Sequence, residues 1–315
     1  MNNFWDDLRK PFFVLAPMEN VTDHVFREIV AGSARPDVFF TEFTSAEGLN
    51  SKGQKELLSK LKFSPKQRPI VAQIWGIRPE SMFKASRLVS ELGFDGVDIN
   101  MGCPDRAVMK MGSGAAHCLD QKLTAEIISA VKEGSKIPVS VKTRLGFNKV
   151  ITDEWIPFLL EQNISALTIH GRTAKNMSDA PAKWDEIGKA VDYRNNIAPE
   201  TSIIGNGDIK SREYGLEMYK KYKVDGVMIA RGIFENPWIF DLENKEHTKE
   251  EYLEMLVKHL KLYNSTYGKA GHFDVMKKFF KMYIRSFDGA SILRQELMEC
   301  KDSDSAISII SKIKK

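Results

Sequence analysis

The sequence predicts an α/β fold: a (β/α)8 TIM barrel followed by a small C-terminal helical bundle. Three observations carry this. Eight short apolar, β-branched runs recur over the first three quarters of the chain, segments of helical spacing lie between them, and after Phe240 the strands cease while helices continue.

In chain order the strand-like runs are Phe12 to Ala16, Val38 to Phe43, Ile70 to Trp75, Gly96 to Asn100, Val139 to Thr143, Ala166 to His170, Ser202 to Gly205 and Gly226 to Ala230. Each reads as a buried strand. Pro79 to Leu92, Thr124 to Lys132, Asp153 to Gln162, Trp184 to Val191 and Arg212 to Lys223 carry helical spacing. Thr124 opens a Thr-x-Glu start, Gly93 and Gly134 read as C-terminal stops, and Ser211 as an N-cap. Eight strands with crossover helices match a closed parallel barrel. A doubly wound open sheet normally carries a Gly-x-Gly-x-x-Gly turn after its first strand. Here that strand runs into Ala16-Pro17-Met18-Glu19-Asn20, which favours the barrel.

Beyond Pro237-Trp238-Ile239-Phe240, Lys249 to Tyr263, Asp274 to Arg285 and Ile292 to Glu299 read as successive helices. The expected division is a barrel over 1–240 and a helical domain over 241–315, with Lys312-Ile313-Lys314-Lys315 as a frayed basic end.

Hydrophobic residues make up 43% of the 315 and charged residues 28%, a globular balance. No stretch approaches the roughly 18 uncharged apolar residues of a membrane span. Met1 to Lys10 contains Asp6, Asp7, Arg9 and Lys10 rather than a basic-then-apolar leader, so a cytoplasmic location is expected, and a monomer. Cys103, Cys118 and Cys300 form no Cys-x-x-Cys pair, and the six histidines no His-x-x-x-His pair, so neither disulfide nor metal is expected. A net charge of +4 is mild for a nucleic-acid binder, which makes the distribution of charge decisive.

Active sites of such barrels lie at the C-terminal strand ends. Polar residues gather there: Gln73, Asn100, Lys142, Arg144, His170, Asn206 and Arg231. Any one alone fits a satisfied strand-end group. Lys142 fits that description least, because an ammonium inside an apolar strand must reach an anion or a cavity. Gly205-Asn206-Gly207-Asp208 and Ala230-Arg231-Gly232 follow the seventh and eighth strands, where barrels hold phosphates on backbone N–H groups. Either cluster alone also fits a tight turn. Together they favour a phosphate-bearing cofactor, with Lys142 along the electron-rich edge of a flavin, where a positive charge stabilises the reduced form.

Seven ordered motifs then carry a resemblance. They are Ala16-Pro17-Met18-Glu19-Asn20-Val21-Thr22-Asp23, Asp98-Ile99-Asn100-Met101-Gly102-Cys103-Pro104, Gly112-Ser113-Gly114-Ala115-Ala116, Val141-Lys142-Thr143-Arg144-Leu145-Gly146, His170-Gly171-Arg172-Thr173, Gly205-Asn206-Gly207-Asp208-Ile209 and Ala230-Arg231-Gly232. The chain resembles the dihydrouridine synthases through the barrel and, more loosely, into the tail. The resemblance implies an FMN enzyme that reduces the C5=C6 bond of a uridine in tRNA, with NADPH or NADH as reductant. It implies that Pro17, Met18, Gln73, Lys142, His170, Asn206, Gly207, Asp208, Ala230, Arg231 and Gly232 line the flavin. Cys103 would face the uracil, and Asn100, Arg144 and Arg172 the substrate. His117-Cys118-Leu119-Asp120 and His24 depart from the family pattern.

Hydride addition at uracil C6 leaves negative charge over C5 and the C4 oxygen, so a proton must reach C5. Cys103, in a tight Gly-Cys-Pro turn past the fourth strand, is the expected acid. An ordinary thiol pKa of about 8.5 keeps it protonated. Cys118 and Cys300 read as small buried apolar residues. Gly112-Ser113-Gly114 suits a loop closing over substrate, and equally a plain flexible turn.

A base inside folded RNA must be extruded to be reached. The rest of the RNA needs a basic surface, and Lys258, Lys261, Lys277, Lys278, Lys281 and Arg285 concentrate charge in the tail. Lys277, Lys281 and Arg285 recur every four residues along one expected helix face, and Tyr263, Tyr267 and Tyr283 are expected to add stacking. A solvated helix face has the same pattern. Two other readings remain open: a flavin barrel acting on a small enone or pyrimidine, which needs no basic tail, and a tRNA-binding protein without chemistry, which Cys103, Lys142 and His170 oppose.

Overall fold

The computed structural model describes residues 3–243, 245–268 and 271–313. Among these residues nine strand segments form one parallel sheet: β1 (Phe12–Leu15), β2 (Phe39–Phe40), β3 (Thr44–Ser45), β4 (Ile70–Trp75), β5 (Gly96–Met101), β6 (Val139–Arg144), β7 (Ala166–His170), β8 (Ser202–Asn206) and β9 (Gly226–Ile229). Their order is β1-β9-β8-β7-β6-β5-β4-β2, with β3 also paired to β4. A parallel bridge between Val14 and Val38 joins the first strand to the second and closes the ring, as expected of a (β/α)8 barrel.

Seven of the eight expected runs form strands to within a residue at either end. The second, expected over Val38 to Phe43, is a strand only at β2, with β3 just beyond it, and the side chains between them explain why. The Thr41 hydroxyl accepts the Gln73 N–H at 3.1 Å in place of a ladder carbonyl, and Glu42 turns its carboxylate to the Asn20 N–H at 2.6 Å. The expected helices are present with several different boundaries: Trp184–Ile197 runs past the expected end at Val191, and Thr152–Leu160 stops short of Gln162. Asp120, not Thr124, caps Gln121–Gly134, accepting from Leu123 N–H, while the Thr124 hydroxyl donates to His117 O. Gly134 is the last residue of that helix rather than a stop beyond it.

The period-two pattern of a strand sorts its residues between barrel interior and helix layer. Phe12, Val14 and Ala16 join Val38, Phe40, Val71, Ala166, Ile204 and Met228 inside, while Phe13 and Leu15 face the helices. Trp5, 1% exposed, packs on Phe12 and Phe40 where the strands begin. The N-terminal end of the barrel is therefore plugged by apolar side chains, which leaves the C-terminal end for ligands.

In the tail, Lys249–Tyr267 starts with a capping box between Thr248 and Glu251. The stretch expected as one helix from Asp274 to Arg285 is two single turns, Asp274–Lys277 and Phe280–Tyr283, so Arg285 lies beyond the helix and off its face. Ala290–Glu299 follows, then Ser303–Ile313, which was not expected and which buries Ala306 and Ile310. Lys312 and Ile313 are helical rather than frayed, and Lys314 and Lys315 lie outside the described residues. The apolar core continues from the barrel helices into the tail. No helix among the described residues is long and apolar enough to cross a membrane.

The tail docks through aromatic side chains. Phe26, on the helix His24–Ala31, stacks on Phe279 with centroids 5.1 Å apart, and buried His259 pairs with the Tyr283 hydroxyl at 2.9 Å. Burial pushes the His259 imidazole down to about 3 from its ordinary 6.5. The unfolded chain therefore takes up the proton first as pH falls. The stabilising contribution is complete above the unfolded value and is lost as pH falls toward the folded one, at about 1.4 kcal/mol per pH unit. Urea denaturation from neutrality to about pH 4 should show this slope in the wild type and a shallower one in His259→Gln. Equal slopes would remove His259 as the cause.

Candidate active site at the barrel mouth

A cavity of about 670 Å³ opens at the C-terminal strand ends, within the size range of cofactor sites. Its wall brings together Pro17, Lys142, Arg144, His170, Arg172, Asn206, Gly207, Asp208, Ala230, Arg231 and Gly232. Pro104, Met177, Ser178, Ile209, Lys210 and Glu235 also line it. Met18, Gln73, Asn100 and Cys103 are not on this wall: Gln73 and Asn100 are buried, and Met18 and Cys103 are partly buried.

Two glycines let the backbone approach the cavity closely. Gly207 has φ +131°, and a Cβ there would lie 2.7 Å from Ala182 Cβ. A Cβ on Gly232 would lie 2.2 Å from the Ile209 carbonyl oxygen. Such contacts exclude a side chain without backbone movement, and backbone cradles of this kind after the last two strands suit a phosphate.

Positive charge is in excess on this wall. Lys142 reaches from β6 to Asn206 Oδ1 at 3.2 Å, and the Asn206 amide is fixed by donating to Met228 O at 2.9 Å. Burial, and then Arg144, push the Lys142 ammonium down to about 8. His170 is held well below its ordinary value by burial and then by Lys142, Arg144 and Arg172, so it is neutral. Arg172 Nη1 lies 3.1 Å from His170 Nε2. A guanidinium only donates, so Nε2 accepts and Nδ1 carries the proton.

The two arginines expected at the substrate are engaged in holding loops. Arg172 grips Asp208 with bonds of 2.6 and 2.7 Å and also donates to Ala180 O. Arg144 donates to Gly102 O at 2.7 Å, Thr173 O at 3.0 Å and Met177 O at 2.9 Å. Together they fix the loops after β5 and β7, so their contribution is geometric as well as electrostatic.

Cys103 follows β5 in a turn held from both sides. Asn100 Oδ1 accepts from Gly102 N–H at 3.2 Å and Cys103 N–H at 2.9 Å, and Cys103 O accepts from Ala115 N–H at 3.0 Å. Gly114, at φ +60°, leaves no room for a Cβ, which would lie 2.6 Å from Cys103 O. Burial pushes the Cys103 thiol above its ordinary value, which keeps it protonated at neutrality. Cys118 is pushed up to about 11 by burial and is covered, and Cys300 is buried. His117 is buried and pushed down to about 4 by desolvation, and neither it nor His24 lines the cavity. Among the described residues, no group of three or more His, Cys, Asp or Glu is placed to hold a metal ion.

The tail cations divide into two kinds. Lys277 pairs with Asp274 at 2.7 Å, Lys278 donates to Asn20 O in the loop after β1, and Arg285 bonds Glu235 at the cavity rim. Lys258, Lys261 and Lys281 are exposed. Two of the three tyrosines are buried rather than presented for stacking. Tyr263 and Tyr283 are buried, with hydroxyls on His272 O and His259, and Tyr267 bonds Asp23 at 3.2 Å. Their polar tips tie the tail together and to the barrel. Lys210, Ser178 and Glu235 were not anticipated, since nothing in their local sequence marks them as cavity residues.

Residues 14–315 match the family described as dihydrouridine synthase (Dus). A "Probable tRNA-dihydrouridine synthase" of Staphylococcus aureus (strain COL) is 46% identical over 312 residues, covering 98% of this chain and 94% of the relative. The "Probable tRNA-dihydrouridine synthase 2" of Bacillus subtilis (strain 168) is also 46% identical over 312 residues, covering 98% and 95%. Among solved structures, 6-hydroxypseudooxynicotine amine oxidase from Pseudomonas geniculata N1 shares the fold at TM-score 0.50 and 12% identity, over 72% of this chain and 46% of that one.

Proposed function

The chain belongs to the dihydrouridine synthase family, whose members are flavin-dependent oxidoreductases, and from that premise we propose that it reduces the C5=C6 bond of a uridine in tRNA. The observation that supports this most is one cavity holding Lys142, a neutral His170 and two glycine turns without room for a Cβ, with the Cys103 turn beside it. These residues fit FMN: the glycine turns suit its phosphate, and the cationic wall suits a ring that becomes electron-rich on reduction.

In this reading Pro17, Lys142, His170, Asn206, Gly207, Asp208, Ala230, Arg231 and Gly232 hold the cofactor, while Met18 and Gln73, expected to join them, lie off that wall. When bound and recharged by NADPH or NADH, FMN supplies the hydride for uracil C6. Cys103 delivers the proton to C5, and the raised thiol pKa keeps that proton available. Lys142 offsets the negative charge that gathers nearby. Asn100 and Arg144 hold the Cys103 turn, and Arg172 holds His170 and Asp208. The helical domain from residue 241 onward docks the RNA through exposed Lys258, Lys261 and Lys281, joined by Lys277, Lys278 and Arg285, while the target base is extruded into the barrel mouth. A tRNA substrate implies a cytoplasmic location.

Mass analysis of the small molecule released by heating the purified protein tests the cofactor. FMN is expected. A colourless protein that takes up no added FMN would contradict the reading, and turnover of free uridine nucleotides or orotate but not tRNA would favour a small-molecule enzyme.

A further inference from the structure

A chain of buried hydrogen bonds runs beneath the cavity to the Cys103 turn. Its far end is Asp98 on β5, fully buried between register partners Gln73 on β4 and Ser140 on β6. Asp98 Oδ1 accepts from the Ser140 hydroxyl at 2.6 Å, and Oδ2 from Gln73 Nε2 at 2.7 Å. Gln73 Oε1 accepts from Asn100 Nδ2 at 2.8 Å, and Asn100 Oδ1 accepts from the Cys103 N–H at 2.9 Å.

The direction of every bond is set from both ends. An ionised carboxylate can only accept, so Gln73 must present its amino group to Asp98 and its carbonyl to Asn100. Asn100 must then present its amino group to Gln73 and its carbonyl to the Cys103 turn. The reverse orientation would set the Asn100 amino group against two backbone N–H groups in a buried site, a costly arrangement. We propose that Asp98 is a positioning residue for the reaction: it anchors the buried end of the Gln73–Asn100 amide chain and thereby the place of the Cys103 turn. This rests on the assignment of Cys103 as the acid.

Fold stability alone does not account for Asp98. Burial pushes its carboxyl up to about 6, with Ser140, Gln73 and Lys142 opposing that rise. A carboxyl raised in the folded state stabilises at low pH, and that contribution is lost as pH rises through the folded value. At neutrality Asp98→Asn should therefore keep or raise the thermal midpoint. An amide at position 98 replaces the charge-assisted bond from Gln73 with a neutral one, so the far end of the chain is held less firmly.

The test uses flavin-loaded full-length protein. Asp98→Asn is expected to slow single-turnover reduction of tRNA about tenfold, in line with the cost of a small misplacement of a reacting group. It should add less than about twofold in a Cys103→Ala background, because residues acting through one group are not additive. It should also change the rate at which iodoacetamide alkylates Cys103, read by peptide mass. An unchanged single-turnover rate, or effects that multiply with Cys103→Ala, would overturn the proposal. If Cys103→Ala itself is not slowed, the acid assignment fails separately, and the alkylation rate then decides: unchanged alkylation overturns the role of Asp98. Should Asp98→Asn not accumulate as holoenzyme, Asp98→Ser carries the same comparisons.

Discussion

Cys103→Ala is expected to lower the single-turnover rate of tRNA reduction by about 10²- to 10⁴-fold, the usual range for removing a positioned general acid. Flavin content and thermal midpoint should change little. The expectation rests on place and protonation. Cys103 is partly buried at the mouth of the barrel, its backbone is held by Asn100 and Ala115, and burial raises its thiol pKa. A thiol so placed is a poor nucleophile and a sound proton source at neutrality. Cys103→Ser should fall between the two, because a hydroxyl is a far weaker acid. The neighbouring Cys118 offers a control: it is covered and bonds Ala115 O at 3.2 Å, so Cys118→Ala should leave the rate near that of the wild type. A Cys103→Ala enzyme at full single-turnover rate would exclude the acid role.

Lys142→Met is expected to be nearly as damaging, lowering the rate of flavin reduction by NADPH about 10²- to 10³-fold, as removal of one preorganised charge typically does. The substitution keeps an unbranched side chain one atom shorter and removes its charge. Lys142 stands on β6, bonds Asn206 Oδ1 at 3.2 Å and lines the cavity, so the loss is confined to the wall. There is also a pH signature. In the cofactor-free protein burial lowers the ammonium to about 8, so its charge is present below that pH and lost above it. FMN affinity should weaken as pH rises through about 8 in the wild type and stay flat there in Lys142→Met. Because an anionic ligand favours the ammonium, the transition should move upward once FMN is bound. A wild-type binding profile without this transition would separate Lys142 from cofactor binding.

Much of the barrel was legible because its strands are buried on both faces and read as short apolar runs, an unambiguous signal when eight of them alternate with helices. The second strand was not, since Thr41 and Glu42 look like ordinary strand residues until their partners Gln73 and Asn20 are known. The Cys103 turn and the two late glycine clusters were legible because Gly and Pro mark turns locally. The loop-holding bonds of Arg144 and Arg172 were not legible, although both residues do line the cavity. Arg144 holds carbonyls 29, 33 and 42 residues away, a relation no local pattern carries. The burial of Tyr263 and Tyr283 was hidden for the same reason. A hydroxyl that meets Asp23 or His259 leaves the same sequence trace as one that meets solvent or a base. The terminal helix Ser303–Ile313 is marked in the sequence only weakly, by Ala306 and Ile310 at helical spacing and by Asp302, which accepts from Ser305 N–H at 2.7 Å near its start.

The central claim, that this protein makes dihydrouridine in tRNA, is tested most directly on tRNA from cells lacking it. That tRNA is mapped by mass spectrometry before and after incubation with the purified flavin-loaded protein and NADPH. The predicted result is a gain of two hydrogens at one or a few defined uridines, dependent on the reductant and lost in Cys103→Ala. Uridines unchanged in every tRNA, with the protein flavin-loaded and NADPH consumed, would contradict it.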